Sequence, residues 1–193
     1  LGRRGSYNPY KRARRDPDSV DFVAHCDGYA SPLHGAAFVA DAWQRQNMRL
    51  REQTREVFRR AHEGPPPKYI LIEQQAESAL APEVADWIET GKAHLPEDTE
   101  LIVPKRTESK VMRAEPQAGL VDDGVVMLAP HLSPENVDAV PLVEELGEFP
   151  FGEHDDLVDA FVDFLMLARK VCSLGETDMD LPPPELESSC MIF

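Results

Sequence analysis

The chain has 193 residues, enough for one domain with a proper core and too few for two domains with their linkers. Hydrophobic residues make up 42% and charged residues 28%, which excludes wholesale disorder, while 17 prolines predict many loops. A formal net charge of −15 argues against a polyanionic partner unless basic residues are concentrated locally.

Two local concentrations exist. Residues 1–15 carry Arg3, Arg4, Lys11, Arg12, Arg14 and Arg15 without an acid, and Arg45, Arg49, Arg51, Arg55, Arg59 and Arg60 form a second group. Either can touch a phosphate backbone; the plainer reading is a solvated tail and the outer face of a helix. No apolar run is long enough to span a membrane, and no basic segment leads into an apolar one near the start, so a cytoplasmic setting without membrane attachment is expected. Cys26, Cys172 and Cys190 lie far apart and fit neither a disulfide framework nor a zinc motif.

In chain order, residues 1–19 lack apolar periodicity and read as an irregular basic segment; a domain is expected over 20–172 and a disordered Pro-rich tail over 173–193. Asp21 to Ala30 and Gly35 to Trp43 predict an antiparallel pair that turns at Ser31-Pro32 or at Asp27-Gly28. Leu50, Thr54, Val57, Phe58 and Ala61 recur at helical spacing until Gly64 and the prolines at 65–67. Tyr69 to Ile72 reads as a buried strand, and Leu80, Val84, Trp87 and Ile88 mark a helix that Gly91 ends. Leu101 to Val103 predicts a strand, Ser109 to Leu120 a polar helix, and Val125 to Leu128 a strand after the turn Asp122-Asp123-Gly124. Ser133-Pro134 reads as a helix start, and Asp155 to Val171 as a long helix. Strands alternating with helices after an antiparallel pair predict an α/β fold with a mixed sheet.

The chemistry rests on carboxylates. Glu73 follows the strand Tyr69 to Ile72, and in open α/β sheets ligands gather outside the carboxyl ends of strands. Asp156 and Asp159 are three apart at a helix start and share one face. Two like charges about 4 Å apart repel by roughly 4 kcal/mol at a protein surface, so something should offset them. One offset is the helix macrodipole with solvent screening. The other is divalent metal: hard oxygen ligands suit magnesium or manganese, and two ions roughly 3.5 to 4 Å apart can act on a phosphodiester.

Several segments, taken in order, point to one family. Tyr69-Ile70-Leu71-Ile72-Glu73-Gln74-Gln75-Ala76, Lys110-Val111-Met112-Arg113-Ala114, Gly124-Val125-Val126, and Leu142-Val143-Glu144-Glu145-Leu146 with Phe149-Pro150 and His154-Asp155-Asp156-Leu157-Val158-Asp159-Ala160 are the segments. Over about residues 20–170 the chain resembles the nuclease domain of phage terminase large subunits. The resemblance implies an RNase H-like mixed sheet flanked by helices, and a DNA endonuclease that cuts concatemeric viral DNA using two magnesium or manganese ions. It implies Glu73, Asp156 and Asp159 as catalytic metal ligands, with Asp155 a further ligand or a helix cap, and Lys110 and Arg113 near substrate phosphates. The partners it implies are double-stranded DNA, the terminase ATPase domain, the small terminase subunit and the portal, in the host cytoplasm during virus assembly.

The departure lies at the start. The family carries its first metal-binding Asp on an opening apolar strand, and no such strand stands before Val20; Leu1-Gly2-Arg3-Arg4-Gly5-Ser6 resembles the segment just after that Asp. On this reading the first strand is missing and the fragment alone can be inactive. Asp16, Asp21 and Asp27 are substitute candidates; Asp27 is the best of them, although it reads more readily as part of a hairpin. No Gly-rich phosphate loop occurs, so ATP-driven packaging is not expected of this chain alone.

Rival readings are another RNase H-like nuclease, such as a junction resolvase or transposase, and a non-catalytic module that docks on DNA or on the packaging motor. Cys190-Met191-Ile192-Phe193 fits a prenylation pattern but no polybasic segment precedes it, and His154 reads as an orienting or solvent-facing residue rather than a zinc ligand.

Overall fold

The computed structural model describes residues 22–32, 34–73, 79–132, 141–152, 154–172, 174 and 188–192. The expected antiparallel pair is β1 (Phe22–Ser31) and β2 (Ala36–Gln46). The turn falls after Ser31; Asp27 and Gly28 lie inside β1, where the register shifts and Ala40 of β2 is left without a partner. This bulge puts Val39 and Ala42 on the same face although they are three residues apart.

Helix α1 (Leu50–Ala61) follows, then β3 (Tyr69–Leu71), α2 (Leu80–Glu89), β4 (Glu100–Ile102), α3 (Lys110–Asp122) and β5 (Val126–Leu128). Gly91 takes φ +68° just past α2, the left-handed conformation that ends helices cheaply only at glycine. Ser109 caps α3, its hydroxyl accepting the Met112 N–H at 3.3 Å. A short turn of 3-10 helix, Pro130–Leu132, leads away from β5. The helix start expected at Ser133 lies outside the described residues, as do Asp16 and Asp21. Two helices close the main body: α4 (Pro141–Glu148), too short to show a helical period in the sequence, and α5 (Asp156–Cys172).

The expectation of a disordered tail over 173–193 is corrected at its far end. Ser188–Ile192 forms β6, and β6 lies in the interior of the sheet. The strand order is β4-β3-β6-β1-β2-β5. β6 runs antiparallel to β1, with Cys26 opposite Ile192, and parallel to β3, with Leu71 opposite Ile192. No apolar alternation marks Ser188-Ser189-Cys190 as a strand; its place comes from pairing on both sides. Cys190 therefore stands on an interior strand, opposite Gly28 and Tyr69, a poor setting for lipid attachment.

The sheet is mixed and α/β in class, with helices on both faces. Alternation along β3 sorts the two cores. Leu71 joins Leu157, Phe161, Phe164 and Leu165 of α5, whereas Ile70 and Ile72 join Val57 and Phe58 of α1, Leu80 and Val84 of α2, and Met191 of β6. The face of β1 under α5 is built from small side chains, Ala24, Cys26, Gly28 and Ala30. A Cβ on Gly28 would lie 2.3 Å from the Phe38 carbonyl oxygen and 2.8 Å from Phe164 Cζ, so glycine is what lets α5 approach. Among the described residues no helix is long and apolar enough to cross a membrane.

Candidate functional site

The sheet topology brings the predicted carboxylates together. Glu73 stands two residues beyond Leu71, so alternation aims it to the α5 side of the sheet, at the carboxyl end of β3. α5 begins at Asp156, which puts Asp156 and Asp159 in its first turn. α3 packs against α5 and carries Lys110 and Arg113 to the same place.

Arg113 is the centre of the cluster. Its side chain is 3% exposed, and its guanidinium donates to Asp163 Oδ1 at 2.7 Å and to Asp159 Oδ1 at 3.0 Å. The same Nη2 lies 3.6 Å from Glu73 Oε1. Lys110 Nζ reaches Asp159 Oδ2 at 2.5 Å and Asp155 Oδ1 at 2.7 Å. Arg106 Nη2 meets Asp163 Oδ1 at 2.5 Å. Four acids, Glu73, Asp155, Asp159 and Asp163, thus share three cations, Arg106, Lys110 and Arg113.

Burial works against the charged form of two of these acids. Burial pushes Asp159 up, against the pull of Lys110 and Arg113, and it pushes Asp156 up, with Lys110 opposing and the neighbouring Asp155 adding. Burial alone would lower Lys110, but its hydrogen bonds to Asp155 and Asp159 outweigh that and hold the ammonium above its ordinary value. Groups whose ionisation is opposed by burial concentrate where proteins do chemistry, although structural networks produce the same effect.

The cap expected from Asp155 comes from elsewhere. The Asp155 side chain is taken by Lys110, and the first turn of α5 is closed by Glu145 of α4, whose Oε2 accepts the Leu157 N–H at 2.9 Å. Glu145 is buried, and burial pushes its carboxyl up while backbone hydrogen bonds from Leu157 and Val158 oppose the shift. Only a tertiary contact defines this role. Asp163, by contrast, had a signal: it stands four residues after Asp159 inside an otherwise apolar stretch of helix, where an acid needs a buried partner.

Two expected placements come out differently. Arg113 is closed onto carboxylates and does not face a phosphate backbone, whereas Lys110 is 40% exposed at the rim. Asp27 is not brought to Glu73. It lies on the α1 side of the sheet, its Oδ2 accepts from His25 Nε2 at 3.0 Å, and it stands opposite Asp41, whose Oδ2 accepts from Arg60 at 2.7 Å.

The donor set has the hard oxygens that magnesium or manganese takes, and an ion there would have to displace Lys110 and Arg113 from Asp159. Among the described residues no three His, Cys, Asp or Glu side chains converge on one point, and both oxygens of Asp159 are held by protein cations. Three cations offset part of the acidic charge within the cluster. No protein-family model and no curated protein matches this chain.

Proposed function

We propose that the chain is an RNase H-like DNA endonuclease domain of a viral terminase large subunit, requiring divalent metal. The observation that carries the reading is the meeting of Glu73 and Asp159, far apart in sequence, on the single Nη2 of Arg113 at 3.6 and 3.0 Å. These are residues that the resemblance names, and the α/β sheet supports the reading by placing Glu73 at a strand's carboxyl end. In the proposed role Glu73, Asp156 and Asp159 would hold divalent metal, which would supply positive charge to the scissile phosphate and activate water. Lys110, at the rim, offers a cation to the phosphate. Arg113 fixes the separation of Glu73, Asp159 and Asp163 from below. Double-stranded DNA is the proposed substrate, and the ATPase domain, small subunit and portal are the proposed partners, in a host cytoplasm.

The test is cleavage of supercoiled plasmid with manganese or magnesium, by this chain and by a version carrying the upstream strand that the resemblance implies. Cutting that requires metal and disappears in Glu73→Ala and Asp156→Ala supports the nuclease. A specific observation favours a second reading, the non-catalytic DNA- or motor-binding module: three protein cations already hold Asp159 and Asp163. Binding without cutting in both versions, with either metal, would select it.

A further inference from the structure

The second arginine group, outside the carboxylate cluster, has a definite place in the fold. β2 pairs parallel with β5, β3 pairs parallel with β4 and β6, and β1 is antiparallel to both β2 and β6. All strands except β1 therefore point the same way, and the carboxyl ends of β2 and β3 lie on one edge of the sheet. Leu71 is level with Ile192, Ile192 with Cys26, and Cys26 with Ala42. Arg45 is three residues past that level and Glu73 two, so at about 3.3 Å per residue they stand at similar heights. Three strand spacings separate β2 from β3, about 14 Å along the edge. That corresponds to roughly four base pairs along a duplex axis.

At this edge Arg45, Met48, Glu52, Arg55, Glu56 and Arg59 line an open groove of about 400 Å³. The Arg45 guanidinium lies 4.8 Å from the centre of the Trp43 ring, a cation–π contact that holds it in place. Arg51, Arg55 and Arg59 follow at four-residue steps on the exposed side of α1. Like charges at this spacing destabilise a helix. Glu56 and Glu63 neutralise Arg59, but among the described residues Arg45, Arg51 and Arg55 form no ion pair. A row of exposed cations on a chain of net charge −15, at the same end of the sheet as the carboxylates but on its α1 face, calls for a polyanion.

We propose that Arg45, Arg51 and Arg55 form a backbone grip for duplex DNA, holding the duplex at the carboxyl edge of the sheet from the α1 face, displaced about 14 Å along that edge from Glu73 on the α5 face. The proposal deepens the nuclease reading by assigning the residues that hold its substrate, and it rests on that reading for the identity of the polyanion. The contact is to phosphates, so it is independent of sequence and released by salt.

The test is fluorescence anisotropy of a labelled duplex titrated with the chain in EDTA across a salt series. Arg45→Gln/Arg55→Gln should weaken binding and flatten the slope of log affinity against log salt by about 1.8, two phosphate contacts at 0.9 each. Lys92→Gln, which changes an exposed cation just past the C-terminal end of α2 paired with Asp86, should leave the slope unchanged. An unchanged slope in the double variant with its thermal midpoint preserved, or an equal loss in Lys92→Gln, overturns the grip. Binding to a polyphosphate of matched charge as tight as to the duplex overturns the choice of DNA. Because binding is read in EDTA, a chain that grips DNA through these arginines but never cuts leaves the grip standing and sinks only the nuclease.

Discussion

Arg113→Met is the most informative single change, because it removes the group on which three acids converge. The guanidinium is 3% exposed and bridges Asp163, also 3% exposed, to Asp159. Removing one partner of a buried ion pair costs about 3 to 5 kcal/mol, since the remaining charge stays buried. Arg106 still reaches Asp163 and Lys110 still reaches Asp159, so the lower end of that range, about 3 kcal/mol, is expected. For a chain of 193 residues that corresponds to a fall in thermal midpoint of roughly 6 to 12 °C, at about 2 to 4 °C per kcal/mol. Urea unfolding followed by circular dichroism at neutral pH would measure it. Arg113→Met/Asp163→Leu should be more stable than Arg113→Met alone, because it removes the stranded charge as well as its partner. The cost of Arg113→Met should also shrink as the solution is acidified and the acids protonate. A cost under about 1 kcal/mol, or a double variant that loses the plain sum of the two single losses, refutes the account of Arg113 as the cation that makes the cluster tolerable.

Two further expectations lie away from the cluster. Hydrogen bonds from Arg59, then Arg60, outweigh burial and hold the Glu56 carboxyl down at about 2, from an ordinary 4.5. A depressed carboxylate stabilises the fold above its unfolded pKa, so the stability gap between the wild type and Glu56→Gln should be constant above about pH 5 and close between pH 4.5 and 2. With Arg59 half-exposed, about 1 to 2 kcal/mol is the expected size, read from thermal midpoints over a pH series. Gly28→Ala should cost about 3 kcal/mol or more in urea unfolding, since a contact of 2.3 Å with the Phe38 carbonyl can be relieved only by moving backbone.

Elements that carry a period of their own were legible in the sequence. α1 and α5 followed from apolar spacing, and β3 from a short apolar run between prolines and polar residues. The stop at Gly91 was likewise local. What was not legible is set by pairing at a distance. β4 and β5 are three residues each, and only their neighbours fix their bounds. Asp27-Gly28 looks like a hairpin turn because the dipeptide favours one, yet the strand runs through it, the glycine serving the approach of Phe164 instead. At the candidate site the carboxylates Glu73, Asp156 and Asp159 were readable from strand and helix ends. The resemblance implied Arg113 near substrate phosphates, and its burial among carboxylates is a tertiary property that the sequence does not display. Glu145 could not be found as the cap of α5, since its partner lies on another helix.

The position of β6 bears on the order in which the molecule can be assembled. In the strand order β4-β3-β6-β1-β2-β5, it alone joins the pair β3 and β4 to the trio β1, β2 and β5. β1 with β2, and β3 with β4, can pair early during synthesis, because the strands of each pair are nearer one another in sequence than either is to β6. Their union waits for residues 188–192, since Cys26 and Tyr69 find their partners at Ile192 and Cys190. Closure therefore spans most of the chain, the kind of long-range contact that slows folding. Until it happens β1 and β3 each expose an unpaired edge, and a nascent chain stalled short of β6 would present two strands ready to pair with another molecule.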